Sequence, residues 1–94
     1  MLKTKDIKLS VVDQSPIRKG GSPGEALQES VELACHVEKY GYTRYWVSEH
    51  HNSSSFSGTS PEILIGQIAA KTKKIRVGSG GVMLSHYSSL KVAE

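Results

Sequence analysis

The sequence contains one cysteine, no long apolar run and no large excess of charge, and each of these shortages excludes a class of protein. The lone Cys35 cannot form an internal disulfide and is typical of a reducing compartment. No apolar run approaches the roughly 20 residues that a membrane-spanning helix needs. The charged N-terminus is not followed by the apolar segment of a signal peptide, so the sequence predicts a cytoplasmic protein.

The length and composition predict one small globular domain over residues 1–94. A chain of this size buries only roughly 60–65% of the surface that its unfolded form exposes, which predicts a modest core. Hydrophobic residues make up 37% of the chain and charged residues 22%, and these fractions exclude disordered and fibrous proteins.

The net charge of +3 arises mainly in the second half of the chain, where basic residues cluster at Lys71, Lys73, Lys74 and Arg76. No aromatic side chains for base stacking are interleaved with them, so the pattern does not favour nucleic-acid binding. Cations at the end of a helix complement its dipole. We therefore interpret the cluster as the solvated end of a helix.

The first third of the chain predicts a strand followed by a helix. Residues 7–12 alternate apolar and polar types and are rich in β-branched residues, which is typical of a strand. A helix is predicted to begin at residue 23, because Ser22 can cap it, Pro23 suits its first position and Glu25 closes a capping box. Gly41 is predicted to end this helix. Its apolar stripe consists of Leu27, Val31, Ala34 and Val37.

The pattern then repeats. Residues 42–48 predict a second strand, and the polar, flexible segment 52–58 predicts a loop without regular structure. A second helix is predicted to begin either with Thr59 as cap and Glu62 closing a box, or with Ser60 as cap before Pro61. Its predicted apolar face consists of Ile63, Leu64, Ile68 and Ala69.

A third strand is predicted over residues 75–78, and Ser88 is predicted to cap a third helix that begins at residue 89. The order β-α-β-α-β with short connections predicts a parallel α/β sheet with right-handed crossovers. Three strands do not close a barrel, which needs about 250 residues. We therefore interpret the chain as the N-terminal portion of a longer fold, whose exposed strand edges predict self-association into a homo-oligomer.

Ionisable residues follow the second predicted strand directly. Glu49, His50 and His51 stand at the C-terminal end of that strand, where parallel α/β enzymes hold their active sites. Gly80 and Gly81 follow the third strand, and glycines there let a ligand approach the backbone closely.

Two other interpretations of these residues remain open from the pattern alone. The first is a solvent-facing loop start without a chemical role. The second is a zinc site, which the sequence disfavours because adjacent histidines point in different directions and no third ligand stands at a useful spacing. His36 lies on a predicted helix and His86 in a distant loop, and neither His36 nor Cys35 is assigned a role.

Two motifs together resemble the bacterial luciferase-like monooxygenase family. They are Trp46-Val47-Ser48-Glu49-His50-His51 and Val77-Gly78-Ser79-Gly80-Gly81-Val82-Met83-Leu84, in the order and spacing that this family shows. The resemblance extends over residues 7–94, nearly all of this chain but only about a third of a family member. It implies the first three β/α units of a (β/α)₈ TIM barrel.

The resemblance also implies chemistry. Members bind reduced FMN, as a loosely bound cosubstrate, or the deazaflavin F420, and the monooxygenases use dioxygen to oxidise small organic substrates. A flavin reductase that supplies reduced FMN is an implied partner, whereas membranes and nucleic acids are not. The alternatives are a segment of an F420-dependent oxidoreductase of the same superfamily and a non-catalytic fragment that self-associates.

The resemblance implies roles for six residues. His50 would lie near the flavin and handle protons or stabilise the oxygenated intermediate, since an imidazole both donates and accepts protons near neutral pH. The residues implied to contact the cofactor are Ser79, Gly80, Gly81, Glu49 and His51, of which His51 also orients its neighbour. The family carries a cis peptide bond against the flavin at the position of Gly80-Gly81.

The chain departs from the family in two respects. Ser85 and Ser89 stand where related sequences often have proline, which predicts a less rigid loop. The family's phosphate-binding residues and most of its substrate pocket come from later strands. This chain is therefore too short for a complete active site of that family, and we expect the isolated fragment to bind flavin poorly and to be inactive.

Overall fold

The chain folds into a three-stranded parallel sheet with two longer helices packed on one of its faces. This computed structural model describes residues 6–94, and residues 1–5, whose charge entered the argument about secretion, lie outside that range. Within it, no helix is both long and apolar enough to cross a membrane. The elements are β1 (Ser10–Asp13), α1 (Pro23–Lys39), β2 (Arg44–Val47), α2 (Pro61–Lys71), β3 (Arg76–Ser79), a 3₁₀ turn (Leu84–His86) and α3 (Ser89–Ala93).

The three strands lie in the order β1-β2-β3, and both pairs are parallel. This arrangement confirms the predicted α/β class and parallel sheet. All three predicted strands form, but their predicted limits of 7–12, 42–48 and 75–78 are wrong. β2 has only four residues and is the one strand with two neighbours, so it limits the length over which β1 and β3 can pair.

The helices begin at the predicted residues, and the Ser22 and Ser88 caps are confirmed, but the Glu25 side chain does not close a box and Ser60 caps α2 without a side-chain hydrogen bond. The Ser22 hydroxyl accepts a hydrogen bond of 3.2 Å from the Glu25 amide at the start of α1. The Ser88 hydroxyl accepts one of 3.2 Å from the Lys91 amide at the start of α3. Gly41 follows α1 with φ +81°, a left-handed conformation in which glycine is not strained. α2 begins with Ser60 as cap and Pro61 as its first residue, which decides between the two predicted starts.

The core lies between the sheet and the two longer helices. Buried hydrophobic side chains come from α1, β2, α2 and the start of β3, namely Ala34, Val37, Tyr45, Val47, Leu64, Ile68 and Ile75. The stripe predicted for α1 is confirmed, with Leu27 and Val31 half-buried at its edge. The face predicted for α2 is partly wrong, because Ile63 and Ala69 are exposed. Only the side of α2 that carries Leu64 and Ile68 faces the sheet.

Lys71 ends α2 and Lys73 and Lys74 follow in the next loop, as predicted, whereas Arg76 belongs to β3, so its place in the cluster was predicted wrongly. A carboxylate holds this loop. Glu38, near the end of α1, accepts hydrogen bonds from the backbone amides of Lys73, Lys74 and Ile75 at 2.7, 2.7 and 3.0 Å. These bonds, that from Lys74 foremost, lower the pKa of the Glu38 carboxyl. The end of α1 therefore fixes the point at which β3 begins.

A polar network lies inside the core between β1, β2 and α1. The Tyr45 hydroxyl donates to the carboxylate of Asp13 and lies 3.2 Å from the carbonyl oxygen of Ser30. Asp13 also accepts from the Ser15 amide at 2.8 Å. Burial raises the pKa of the Tyr45 hydroxyl, which keeps it protonated as a donor. The buried carboxylate of Asp13 is thus satisfied from two directions.

The Tyr45→Phe variant tests this network. It removes the hydroxyl that bonds to a buried carboxylate, so we expect the free energy of unfolding in urea to fall by about 1–3 kcal/mol. The matched control is Tyr42→Phe, because the half-buried Tyr42 forms no hydrogen bond through its hydroxyl within residues 6–94. Equal stabilities of the two variants would contradict a stabilising role for the Tyr45 hydroxyl.

Candidate active site

The C-terminal ends of the three strands meet at one edge of the sheet and enclose a cleft there. The cleft has a volume of about 300 Å³. Its lining residues include Val12, Ser48 and His50 from the ends of β1 and β2, and Gly80, Gly81 and Met83 from the segment after β3. The sheet thus brings His50 and the Gly80-Gly81 pair to one surface.

His50 is held by the loop that follows β2. Its ring stacks on the ring of Phe56, with centroids 4.7 Å apart and planes inclined by 26°. Its backbone amide donates to the carbonyl oxygen of Gly58 at 2.8 Å. The same loop pairs with the chain after β1 through a bridge between Pro16 and Phe56. Segment 52–58 has no helix or strand, as predicted, but these contacts anchor it.

Gly58 occupies a position where any side chain would be crowded. The residue is buried, and a Cβ atom there would lie 3.0 Å from the carbonyl oxygen of Ser48. A backbone oxygen cannot move aside as the end of a flexible side chain can. The absence of a side chain at Gly58 therefore lets the loop pack against the end of β2. This contact places the Gly58 carbonyl beside the His50 amide.

Glu49 connects the end of β2 to the segment after β3. Its side chain is only 1% exposed. One carboxylate oxygen lies 2.6 Å from His51 Nε2. The other accepts hydrogen bonds from the Met83 amide at 3.2 Å and the Tyr87 hydroxyl at 3.1 Å. The contact with His51, followed by those with Met83 and Tyr87, lowers the pKa of the Glu49 carboxyl despite its burial.

The network continues from Tyr87 to the helices. Burial and the neighbouring Glu49 carboxylate raise the pKa of Tyr87 to about 12, so the hydroxyl remains a donor. The hydroxyl also lies 3.2 Å from a carboxylate oxygen of Glu62 at the start of α2. Lys91 of α3 forms an ion pair with Glu62 at 3.3 Å and lies 4.4 Å from the centre of the Tyr87 ring. The segment after β3 is thus attached to both β2 and α2.

The structure separates the six predicted site residues into two groups. His50, Glu49, Gly80 and Gly81 line the cleft, and the Glu49 carboxylate is engaged by His51, Met83 and Tyr87. His51 points away to Glu49 and meets the ring of His86 edge-on at 4.7 Å. The Ser79 hydroxyl donates to the Gly81 carbonyl, and Ser79 lines a different groove between α2 and α3. The structure therefore does not bring Ser79 or His51 into the cleft.

The backbone at Gly80-Gly81 differs from the expectation taken from the resemblance. All peptide bonds within residues 6–94 are trans, so the expected cis bond is not present. A cis bond costs roughly 2.5–4 kcal/mol at a non-prolyl residue and persists only where its surroundings enforce it. Nothing packs within 4 Å of the Cβ position of Gly81 in this chain.

Sequence reasoning missed Ser48, Phe56 and Tyr87. The Ser48 hydroxyl oxygen is buried at the cleft and has no hydrogen-bond partner in the described part of the chain. Strand alternation offered a signal for it, because Arg44, Trp46 and Ser48 fall on one face of β2. Phe56 and Tyr87 offered no local signal, since their roles arise from contacts between loops.

The cleft fits a flat polar ligand. Gly80 and Gly81 present backbone without side chains, and the unpaired Ser48 hydroxyl can donate or accept one hydrogen bond. A metal has less support: within residues 6–94 the His, Cys, Asp and Glu side chains form no group of three that could hold an ion. The arrangement thus places an imidazole on the same cleft as a stretch of backbone without side chains.

The Glu49→Gln variant tests the connection between the two strand ends. Because the folded-state pKa of Glu49 lies below its ordinary value of 4.5, the ionised carboxylate stabilises the fold above that pH, and the contribution is lost as the pH falls through the folded-state pKa. We therefore expect the stability gap between the parent chain and Glu49→Gln to be large at neutral pH and to narrow as the pH falls below 4.5. Urea unfolding across this range measures the gap.

The control for this test is Glu32→Gln, which removes an exposed carboxylate from α1. We expect its stability gap to be small at every pH, because an exposed carboxylate without close partners contributes little. A gap for Glu49→Gln that stays constant from neutral to acid pH would contradict the proposed role of its charge.

Comparisons with known proteins identify the family. The family model described as luciferase-like monooxygenase matches residues 7–94. The chain is 54% identical over 88 residues to the N-acetyl-S-alkylcysteine monooxygenase of Bacillus subtilis, a match that covers 94% of this chain and 26% of that protein. It is 46% identical over 90 residues to a luciferase-like monooxygenase of Escherichia coli K12, covering 96% of this chain and 27% of that protein.

Two solved structures share the fold. The crystal structure of apo-MsnO8 superposes with a TM-score of 0.88 at 55% identity, over 93% of this chain and 26% of that one. The FMN complex of the oxygenating constituent of the 3,6-diketocamphane monooxygenase from Pseudomonas putida superposes with a TM-score of 0.78 at 24% identity, over 92% and 24% of the two chains.

The present chain thus spans about a quarter of the length of the relatives that it matches. Its three parallel strands correspond to the N-terminal part of their fold, as the sequence predicted. Because the family model matches 88 of its 94 residues, from residue 7 to residue 94, the chain belongs to the luciferase-like monooxygenase family.

Proposed function

We propose that this chain forms one wall of the flavin site of a luciferase-like monooxygenase, in which reduced FMN and dioxygen oxidise a small organic substrate. The observation that carries the proposal is the shared cleft between His50 and Gly80-Gly81 at the ends of β2 and β3. The carboxyl ends of parallel strands are where barrels of this kind hold their ligands. The side-chain-free Gly80-Gly81 surface suits a flat ring, and His50 faces it.

FMN is the first cofactor to test, since the solved oxygenating constituent that shares this fold was crystallised with FMN. F420 is the alternative that the same experiments must include. A flavin, when bound in its reduced form, supplies the electrons that activate dioxygen. The proposal includes a flavin reductase as the source of reduced FMN, a location in the cytoplasm, and self-association through the outer edges of β1 and β3.

Each residue of this wall has a distinct task in the proposal. His50 holds or releases a proton at its ring, and the stacked Phe56 restricts the rotation of that ring. Ser48 contributes to the wall of the cleft, and its buried hydroxyl has no hydrogen-bond partner in the described part of the chain. Glu49 does not touch the ligand through its carboxylate and instead holds Met83 at the opposite side of the cleft. The roles of Ser79 and His51 are restricted to supporting this backbone.

The first test uses the 94-residue chain itself. The cleft is open on the side where later strands would stand, so the ligand would be enclosed on one side only. We expect titration with FMN to quench flavin fluorescence without saturation, with a dissociation constant weaker than about 1 mM. F420, titrated in parallel, should behave in the same way. Saturable, tight quenching would contradict the proposal that these residues supply only one wall.

The second test places the matched segment of this chain in a full-length relative. Residues 7–94 replace the matching segment of the Bacillus subtilis N-acetyl-S-alkylcysteine monooxygenase, which is 54% identical there. In this chimera we expect His50→Ala to lower the rate of substrate oxygenation by about 10²–10⁴-fold, the usual contribution of an acid-base residue. The affinity for FMN, measured by fluorescence, should change little.

The control in the same chimera is His36→Ala, because His36 is exposed on α1 and remote from the cleft. This variant should oxygenate the substrate at the parent rate. If His50→Ala and His36→Ala are equally active, His50 has no catalytic role and the proposal loses its central residue.

A further inference from the structure

Two arginines stand side by side on the face of the sheet that no helix covers. Arg44 and Arg76 are register partners on β2 and β3. Side chains alternate along a strand, and the neighbours Tyr45 and Val47 are buried beneath the helices. Arg44 therefore projects from the opposite, open face. Arg76 projects there too, because the two arginines line one recess of about 160 Å³ together with Trp46.

Neither arginine is paired with a carboxylate. Within residues 6–94 the ion pairs join Arg18 to Glu29, His51 to Glu49 and Lys91 to Glu62. Neither guanidinium donates a hydrogen bond to another group of that part of the chain. Like charges directly opposite each other on adjacent strands destabilise a sheet. The pair is thus an unfavourable feature of the 94-residue chain that calls for an anionic partner.

Two apolar side chains, Val12 and Trp46, lie on the same open face, and we expect them to require cover. Val12 is 66% exposed there. The Trp46 ring lies across Gly78, where a Cβ atom would come within 3.0 Å of the ring. In a (β/α)₈ barrel the face opposite the helices points inward and is filled by side chains of the other strands. Since the relatives are about four times as long as this chain, the remaining strands are the natural cover.

We propose that Arg44 and Arg76 form an ionic docking site for carboxylates presented by the later strands of a luciferase-like barrel. Arginines that become buried are stabilised only when paired, and the fork of a guanidinium matches a carboxylate. A second copy of this chain is a poor occupant, because the same face would bring two further arginines against the first pair. The site lies about 13 Å from Ser48 along β2, at 3.3 Å per residue, and so is separate from the flavin cleft.

The chimera described above tests this proposal through stability alone, so its failure is distinguishable from failure of the flavin proposal. Arg44→Met and Arg76→Met each leave a buried carboxylate unpaired, and we expect the equilibrium constant for unfolding to rise at least ~100-fold. Arg18→Met is the control, because the Arg18 side chain is 75% exposed in its pair with Glu29. Its unfolding constant should rise less than about fivefold.

In the 94-residue chain we do not expect the same substitutions to raise the equilibrium constant for unfolding. There the arginines repel each other without a partner, so Arg44→Met and Arg76→Met should leave the unfolding constant unchanged or lower it. A crystal structure of the parent chimera should show a carboxylate oxygen within about 4 Å of each guanidinium.

Three results would overturn the proposal. The first is a rise in the unfolding constant of the chimera for Arg44→Met and Arg76→Met that is no larger than the rise for Arg18→Met. The second is a chimera structure in which only water or backbone meets the two guanidinium groups. The third is stabilisation of the chimera by added sulfate that Arg44→Met abolishes, which would show that the pair binds a free anion instead.

Discussion

The buried carboxylate of Glu49 is the interaction on which the cleft depends. It belongs to the end of β2, yet two of its three partners lie in the segment after β3. Without it, Met83 and the adjacent Gly80-Gly81 backbone would be attached to β2 only through the sheet ladder and the Gly80 amide, which donates to the Val47 carbonyl at 2.7 Å. A charged acceptor strengthens each of these bonds relative to a neutral one. One side chain thus adds a charged acceptor to the ladder contacts that hold the two cleft walls together.

The helix ends and the parallel order were predictable because their causes are local. A serine can cap a helix wherever its hydroxyl accepts a hydrogen bond from the backbone amide three residues on, as Ser22 and Ser88 do. The exposure of Ile63 and the anchoring role of Phe56 were not predictable, since they depend on which side of α2 meets the sheet and which loops touch. The family motifs pointed to His50, which lines the cleft, whereas the direction of the His51 side chain follows from its contact with Glu49.

The two faces of the sheet differ in how completely their polar groups are satisfied. On the helix side, Asp13 and Tyr45 satisfy each other inside a closed core. On the open side, the Ser48 hydroxyl and the Arg44–Arg76 pair have no partners in the described part of the chain. A buried hydroxyl without a partner usually meets a ligand or another segment in a native protein, whereas Arg44 is half-buried and Arg76 is exposed to water in this chain. The polar groups on the helix side of the sheet are therefore paired, whereas those on the open side are not.

Because only one side of the cleft is built, the position of His50 and the affinity of the cleft for a ligand have different origins. His50 is fixed by Phe56 and Gly58 before any ligand arrives, so closure of a barrel around the cleft would not need to rearrange it. Affinity, in contrast, depends on how much of a ligand is removed from water, and an open wall encloses little. The contacts that position the imidazole therefore lie within these 94 residues. Under the proposed function, tight retention of a flavin would in addition require surface from further strands.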